Sequence, residues 1–177
     1  MKNSLKQTAI VFMAILFGTS WSYGQSFEKG DKLLNLGIGI GSQFVAAGGS
    51  GGIPPVGLSF EVGINNKISI GAYGGYASTK VDVFVAEWTH TYIVAAARGS
   101  YHFDVGVEKL DPYAGVILGY NIASASTTAN NMPEPKVGGP IYGAHAGARY
   151  LFTPGMGVFA EVGYGIAWLN AGLTFKF

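Results

Sequence analysis

Along most of this chain apolar residues recur at every second position, and the positions between them are filled largely by glycine. In 34–41 one face reads Leu34, Leu36, Ile38, Ile40 and the other Asn35, Gly37, Gly39, Gly41. In 56–64, Val56, Leu58, Phe60, Val62 and Ile64 alternate with Gly57, Ser59, Glu61 and Gly63. In 158–166, Val158, Ala160, Val162, Tyr164 and Ile166 alternate with Phe159, Glu161, Gly163 and Gly165. In 169–177, Leu169, Ala171, Leu173, Phe175 and Phe177 alternate with Asn170, Gly172, Thr174 and Lys176. A strict period of two belongs to strands, because a helix repeats at 3.6. Weaker alternation covers 68–77, 90–103, 113–122 and 141–152. The pattern therefore gives eight strands, each near the ~9–11 residues that cross a bilayer when tilted.

The second face decides what kind of sheet this is. A soluble sandwich would carry many Lys, Glu, Thr and Gln there, facing water. Here 28 of 177 residues are glycine, only 12% are charged, and 49% are hydrophobic. Eight strands enclose a lumen just wide enough for side chains, so inward glycines are tolerated and long residues must be few. The outward face is continuously apolar, as lipid requires, and closure pairs every backbone group. The expected fold is all-β: a monomeric, eight-stranded antiparallel up-and-down transmembrane β-barrel. The gaps 42–55, 65–67, 78–89, 104–112, 123–140 and 153–157 alternate long and short, as outer-membrane barrels do. An even strand number then puts both termini in the periplasm, and 42–55, 78–89 and 123–140 outside. The last gap, near Ala167 and Trp168, reads as a tight hairpin. Outward Tyr101, Phe103, Tyr150, Phe152, Phe175 and Phe177 fall at the periplasmic ends, and Tyr76, Tyr120, Tyr142, Tyr164 and Trp168 at the outer ends. Two such belts suit rings that prefer the membrane interfaces.

Residues 1–24 read as a cleaved secretory signal. Lys2 and Lys6 precede the apolar run 8–17, and Ser22 and Gly24 supply the small residues before a cut at Gln25. That run is too short to span a bilayer, which takes about 20 residues. Residues 25–177 form the barrel domain, with nine basic residues against ten acidic once Lys2 and Lys6 are gone. No basic cluster invites nucleic acid. The absence of cysteine excludes disulfides, thiolate metal sites, cysteine nucleophiles and a lipid-modified cysteine.

Three segments carry a resemblance. The chain ends Asn170-Ala171-Gly172-Leu173-Thr174-Phe175-Lys176-Phe177, which resembles the C-terminal assembly signal of bacterial outer-membrane proteins. Segments 97–103 (Ala-Arg-Gly-Ser-Tyr-His-Phe) and 160–165 (Ala-Glu-Val-Gly-Tyr-Gly) look like the small outer-membrane β-barrel domain of Bacteroidota. That family is similar in architecture to OmpA/OmpX-type barrels, and the likeness covers roughly 27–177. It implies residence in the outer membrane, with Asn170, Gly172, Phe175 and Phe177 read by the assembly machinery. The partners expected are outer-membrane lipid, that machinery and an unidentified extracellular ligand.

The inward charges are Glu61, Arg98, Arg149, Glu161 and Lys176, with His102 and His145 on the same faces. Strand order places Glu161 between Arg149 and Lys176. In a narrow lumen such charges need partners whatever the function, so they read as a plug of ion pairs sooner than as an ion path. His90, His102 and His145 match no metal-binding spacing. Ser100-Tyr101-His102 reverses the His-x-Ser order of lipid A deacylases, and no serine motif accompanies Asp82, Glu87 and His90. No catalytic group, cofactor or metal is expected. Gly37–Gly41 lies within a strand and is no dinucleotide loop, and 48–52 is a glycine-rich loop tip without the Lys-Ser/Thr of a phosphate cradle. The segment 123–140, with Pro133, Pro135 and Pro140, suits a solvated or partner-binding loop. The expected role is non-enzymatic, structural or adhesive, acting through the outer loops; the alternative is a narrow channel, and lipid A modification is less favoured.

Overall fold

The computed structural model describes residues 26–42, 51–83, 86–127 and 136–177. The leader, the loop tip 48–50, Pro133, Pro135 and the side chains of Asp82 and Glu87 lie outside the described residues. Eight antiparallel strands close in sequence order into one barrel. They are β1 (Lys32–Ile40), β2 (Val56–Gly63), β3 (Ile68–Val83), β4 (Ala86–His102), β5 (Leu110–Thr127), β6 (Lys136–Thr153), β7 (Met156–Gly163) and β8 (Leu169–Lys176). The closing seam sets β8 against β1 with Gly172 opposite Gly37 and Thr174 opposite Asn35. Closure leaves no sheet edge in the apolar band.

The pleat sorts side chains as the alternation demands. Leu36, Ile38, Leu58, Phe60, Val116, Leu118, Val158 and Val162 are exposed, whereas Asn35, Ser59, Glu61, Arg98, Arg149 and Glu161 are buried. An apolar exterior around a polar interior is the reverse of a soluble protein and is the arrangement of a barrel bathed in lipid. Exposed Tyr101, Phe103, Tyr150 and Phe152 ring the end where β1 begins and β8 finishes, and Tyr120, Tyr142 and Trp168 the other. Phe175 and Phe177 are half-buried rather than fully outward.

Two of the expected loops are largely strand. The hairpin of β3 and β4 stays in register to Val83 opposite Ala86, through the span 78–89. Likewise β5 continues to Thr127 and β6 begins at Lys136, shortening the gap 123–140. Alternation marks a strand only while one face meets lipid. Where lipid no longer demands an apolar outer face, Thr79, Thr89 and Thr91 keep the ladder through β-branched backbone preference without an apolar stripe, with Thr79 buried on the inner face.

The last hairpin also departs from expectation. β7 stops at Gly163, whose φ of 150° suits glycine, and 164–168 turns into the barrel. Ile166 is 0% exposed and Ala167 2%. They pack with Tyr73, Ala77, Val94, Ile117 and Ile141, while Trp168 remains outside with Tyr164 edge-on at 5.8 Å. Ile166 thus points inward, not outward as its place in the alternation suggested. An isoleucine is equally at home against lipid or inside a plug, and period alone does not separate the two.

Candidate functional site

The lumen is built in layers from the end where β1 begins and β8 finishes. There Phe27, 3% exposed, lies flat on the His102 ring at 3.5 Å between centroids. The segment bearing it is tied down by backbone bonds from Gly30 N–H to Gly63 O (2.9 Å) and Gly63 N–H to Asp31 O (2.8 Å). Lys176 completes this cap, with its Nζ 2.8 Å from Asp31 Oδ2 and donating to Ser26 O. Its expected place in the central charge network is therefore corrected: Lys176 stands at the mouth and closes it.

Behind the cap sit three carboxylates and two guanidiniums. Arg149 donates from Nε to Asn35 Oδ1 (3.1 Å), and its two terminal nitrogens reach Asp111 Oδ2 and Glu61 Oε1, both at 2.9 Å. Its guanidinium also lies 3.9 Å from the Tyr113 ring centre. Arg98 donates to Glu161 Oε2 (2.8 Å), which also accepts the Tyr113 hydroxyl (2.8 Å). Arg98 Nε lies 3.2 Å from Glu61 Oε1, though its N–H makes no directed bond. The partner expected for Glu161 was a charge on an adjacent strand; the structure gives it Arg98 from β4, three strands away. In so narrow a barrel, long side chains meet across the axis, and Arg149 on β6 and Glu61 on β2 are on opposite walls.

Three residues of the cap and the charged layer carry no sequence signal of their own. Asp111 falls in the expected turn 104–112, beside Pro112, yet is 1% exposed. Ser69 belongs to a weakly alternating segment, and Phe27 to no strand. Asp111 Oδ1, His102 Nδ1 (2.7 Å), His102 Nε2 and Ser69 Oγ (2.9 Å) form a chain with the distances of a serine–histidine–aspartate relay. Ser69 Oγ, however, donates to Glu61 Oε2 (2.8 Å), so its proton is already committed. The ladder consumes the neighbouring backbone N–H groups, leaving no built oxyanion hole, and Phe27 covers the imidazole. Ser100 donates to Glu61 (2.6 Å) and contacts His145 Nε2 (3.0 Å), so the nucleophile–base pair suggested by Ser100 and His102 is not formed. No grouping of three or more potential metal ligands occurs among the described residues.

The residues of the terminal motif occupy the seam. Asn170 is buried and donates to Ala167 O (3.4 Å). Phe175 pairs with Leu34, and the backbones of Phe177 and Lys32 exchange two bonds, 2.9 and 3.0 Å. A Cβ on Gly172 would strike Leu36 O and come 2.7 Å from Gly37 Cα. The constraint at Gly172 is thus the approach of the β1 backbone, rather than crowding by luminal side chains.

At the far end, β3–β6 run 16 to 18 residues, against 8 or 9 for the other four. The excess of about eight residues projects a four-stranded sheet ~26 Å along the strands, at ~3.3 Å per residue. Pairing with β2 ends at Tyr76 and pairing with β7 at His145. Among the described residues, Lys136–Gly143 of β6 therefore has no strand beside it on the side away from β5.

Small barrels share this geometry. The attachment invasion locus protein Ail of Yersinia pestis, solved with the heparin analogue sucrose octasulfate, superposes with a TM-score of 0.54 at 13% identity over 84% of this chain and 96% of that one. Neisserial surface protein A gives 0.53 at 18% identity, covering 88% and 100%. The N-terminal barrel domain of Pseudomonas aeruginosa OprF gives 0.51 at 18%, covering 85% and 99%. No family model and no curated protein sequence matches the chain. These likenesses establish the fold: a small, eight-stranded, closed antiparallel barrel of the outer-membrane kind.

Proposed function

We propose that this chain is a non-enzymatic outer-membrane protein, with periplasmic termini, whose work is done by the sheet of β3–β6 standing above the membrane. The observation that carries this reading is the inequality of strand lengths. Crossing lipid needs only ~9–11 residues per strand, so the additional length in four neighbouring strands serves contact beyond the bilayer. The lumen supports the same reading, since Ile166 and Ala167 stop one end and Phe27 the other, with ion pairs between them. The open edge of β6 offers backbone donors and acceptors to an extended protein segment. Lys80 and Lys136 stand among Asp82, Glu87 and Glu134 in the hairpin sequences, a balance of charge that does not select for a sulfated sugar. A protein partner fits better.

The test trims the sheet, joining Ala77 to Tyr92 and Ala123 to Val137 through two-residue turns. The trimmed barrel should insert and keep heat-modifiable migration, while adhesion of cells expressing it to host-protein-coated surfaces falls to the vector background. Adhesion equal to that of the full protein would overturn the proposal. Stable planar-bilayer conductance by the intact protein would favour the channel reading instead.

A further inference from the structure

Two buried amides in the lumen have their orientation settled by partners of fixed polarity. Asn35 Oδ1 accepts from Arg149 Nε (3.1 Å), a group that only donates, and from Thr174 Oγ1 (2.7 Å). Its Nδ2 is therefore a donor, buried and without a protein acceptor. Asn170 Nδ2 donates to Ala167 O (3.4 Å), a group that only accepts, so its Oδ1 is an acceptor, buried and without a protein donor. Both residues are more than nine-tenths buried. Both line one cavity of about 10 Å³, together with Gly57, Tyr73, Arg98 and Glu161.

That volume is one water molecule's worth, and a buried water wants two to four polar partners. Tyr73 supplies a third, because its oxygen accepts from Ile166 N–H (3.1 Å) and its proton remains to donate. Gly57 forms the cradle: a Cβ there would stand 3.1 Å from Tyr73 Oη and 3.5 Å from Asn170 Oδ1. Arg98 on the wall repels a cation and Glu161 an anion. We infer that the lumen binds one structural water, accepting from Asn35 Nδ2–H and Tyr73 O–H and donating to Asn170 Oδ1 and the Glu161 carboxylate. This water joins the charge network to the 164–168 plug.

Magnetic relaxation dispersion of water oxygen-17 on the refolded protein in micelles counts waters held longer than the particle tumbles. The intact protein should show at least one, and Gly57→Ala, which places a methyl in the cradle, should show one fewer. Gly74→Ala, where a Cβ meets nothing within 4 Å, should keep the full count. Both variants are first checked for heat-modifiable migration. A crystal structure at atomic resolution should place a water within 3.2 Å of both Asn35 Nδ2 and Asn170 Oδ1. No long-lived water in the intact protein overturns the inference, as does an unchanged count in folded Gly57→Ala. Should Gly57→Ala fail to fold, Asn170→Leu replaces it, with the same loss of one expected and the same overturning result.

Discussion

Replacing Arg149 by methionine should cost far more than replacing Glu61 by glutamine, although the two residues face each other at 2.9 Å. The reason is the charge inventory of the buried layer: Glu61, Asp111 and Glu161 against Arg98 and Arg149. Losing Glu61 leaves two carboxylates against two guanidiniums, and glutamine keeps an acceptor for Ser69 and Ser100. Losing Arg149 leaves three carboxylates and one guanidinium, and strips a donor from Asn35, Asp111 and Glu61 together. It also removes the nearer of the two guanidiniums that lie over the Tyr113 ring. Breaking a buried pair by deleting one partner costs about 3–5 kcal/mol, and Arg149→Met belongs at the upper end because it takes a guanidinium from two buried anions at once. Glu61→Gln should cost about 1–2 kcal/mol, the scale of hydrogen bonds weakened rather than lost. Urea unfolding in phospholipid vesicles, followed by tryptophan fluorescence and gel migration, measures both. Equal losses, or a larger loss for Glu61→Gln, would refute the reasoning from net charge.

Gly172→Ala should lower stability by about 1–3 kcal/mol, the usual cost of overpacking, because its Cβ meets the β1 backbone; Gly74→Ala should stay within about 0.5 kcal/mol, as surface changes do. Deleting Phe177 removes the two bonds exchanged with Lys32 and should sharply reduce folded protein in outer-membrane fractions. Lys176→Ala should cost no more than about 1 kcal/mol in urea titration, since its pair with Asp31 is partly solvated. Phe27→Ala should speed hydrogen exchange at Gly30 and Gly63 while leaving the unfolding midpoint of the barrel nearly unchanged, because the cap opens locally.

The barrel was legible wherever lipid pressed on one face only. There Glu61, Arg98, Arg149 and Glu161 stood out as long charged residues among inward glycines. Their pairing was not legible, because strand order describes neighbours along the wall and the contacts run across the axis. Asp111 hid beside Pro112 in what reads as a turn. Phe27 hid because a single ring in an irregular segment has no period. The upper halves of β3–β6 hid because polar residues such as Thr79, Thr89 and Thr91 replace the apolar stripe while the backbone ladder continues.

The bonds that Lys32 and Phe177 exchange give the molecule a property of rings: it has no natural beginning. Lys32 and Phe177 are as close as any pair of hydrogen-bonded residues in the wall, so a short linker from Phe177 into the segment that precedes Lys32 would join β8 to β1 without disturbing a strand. Reopened at the β3–β4 connection, such a circular permutant retains every strand pairing, as permutation at exposed loops generally does. Its last strand would then be the present β3, without the terminal phenylalanine, so the order in which strands are handed to the membrane becomes separable from the shape they finally make.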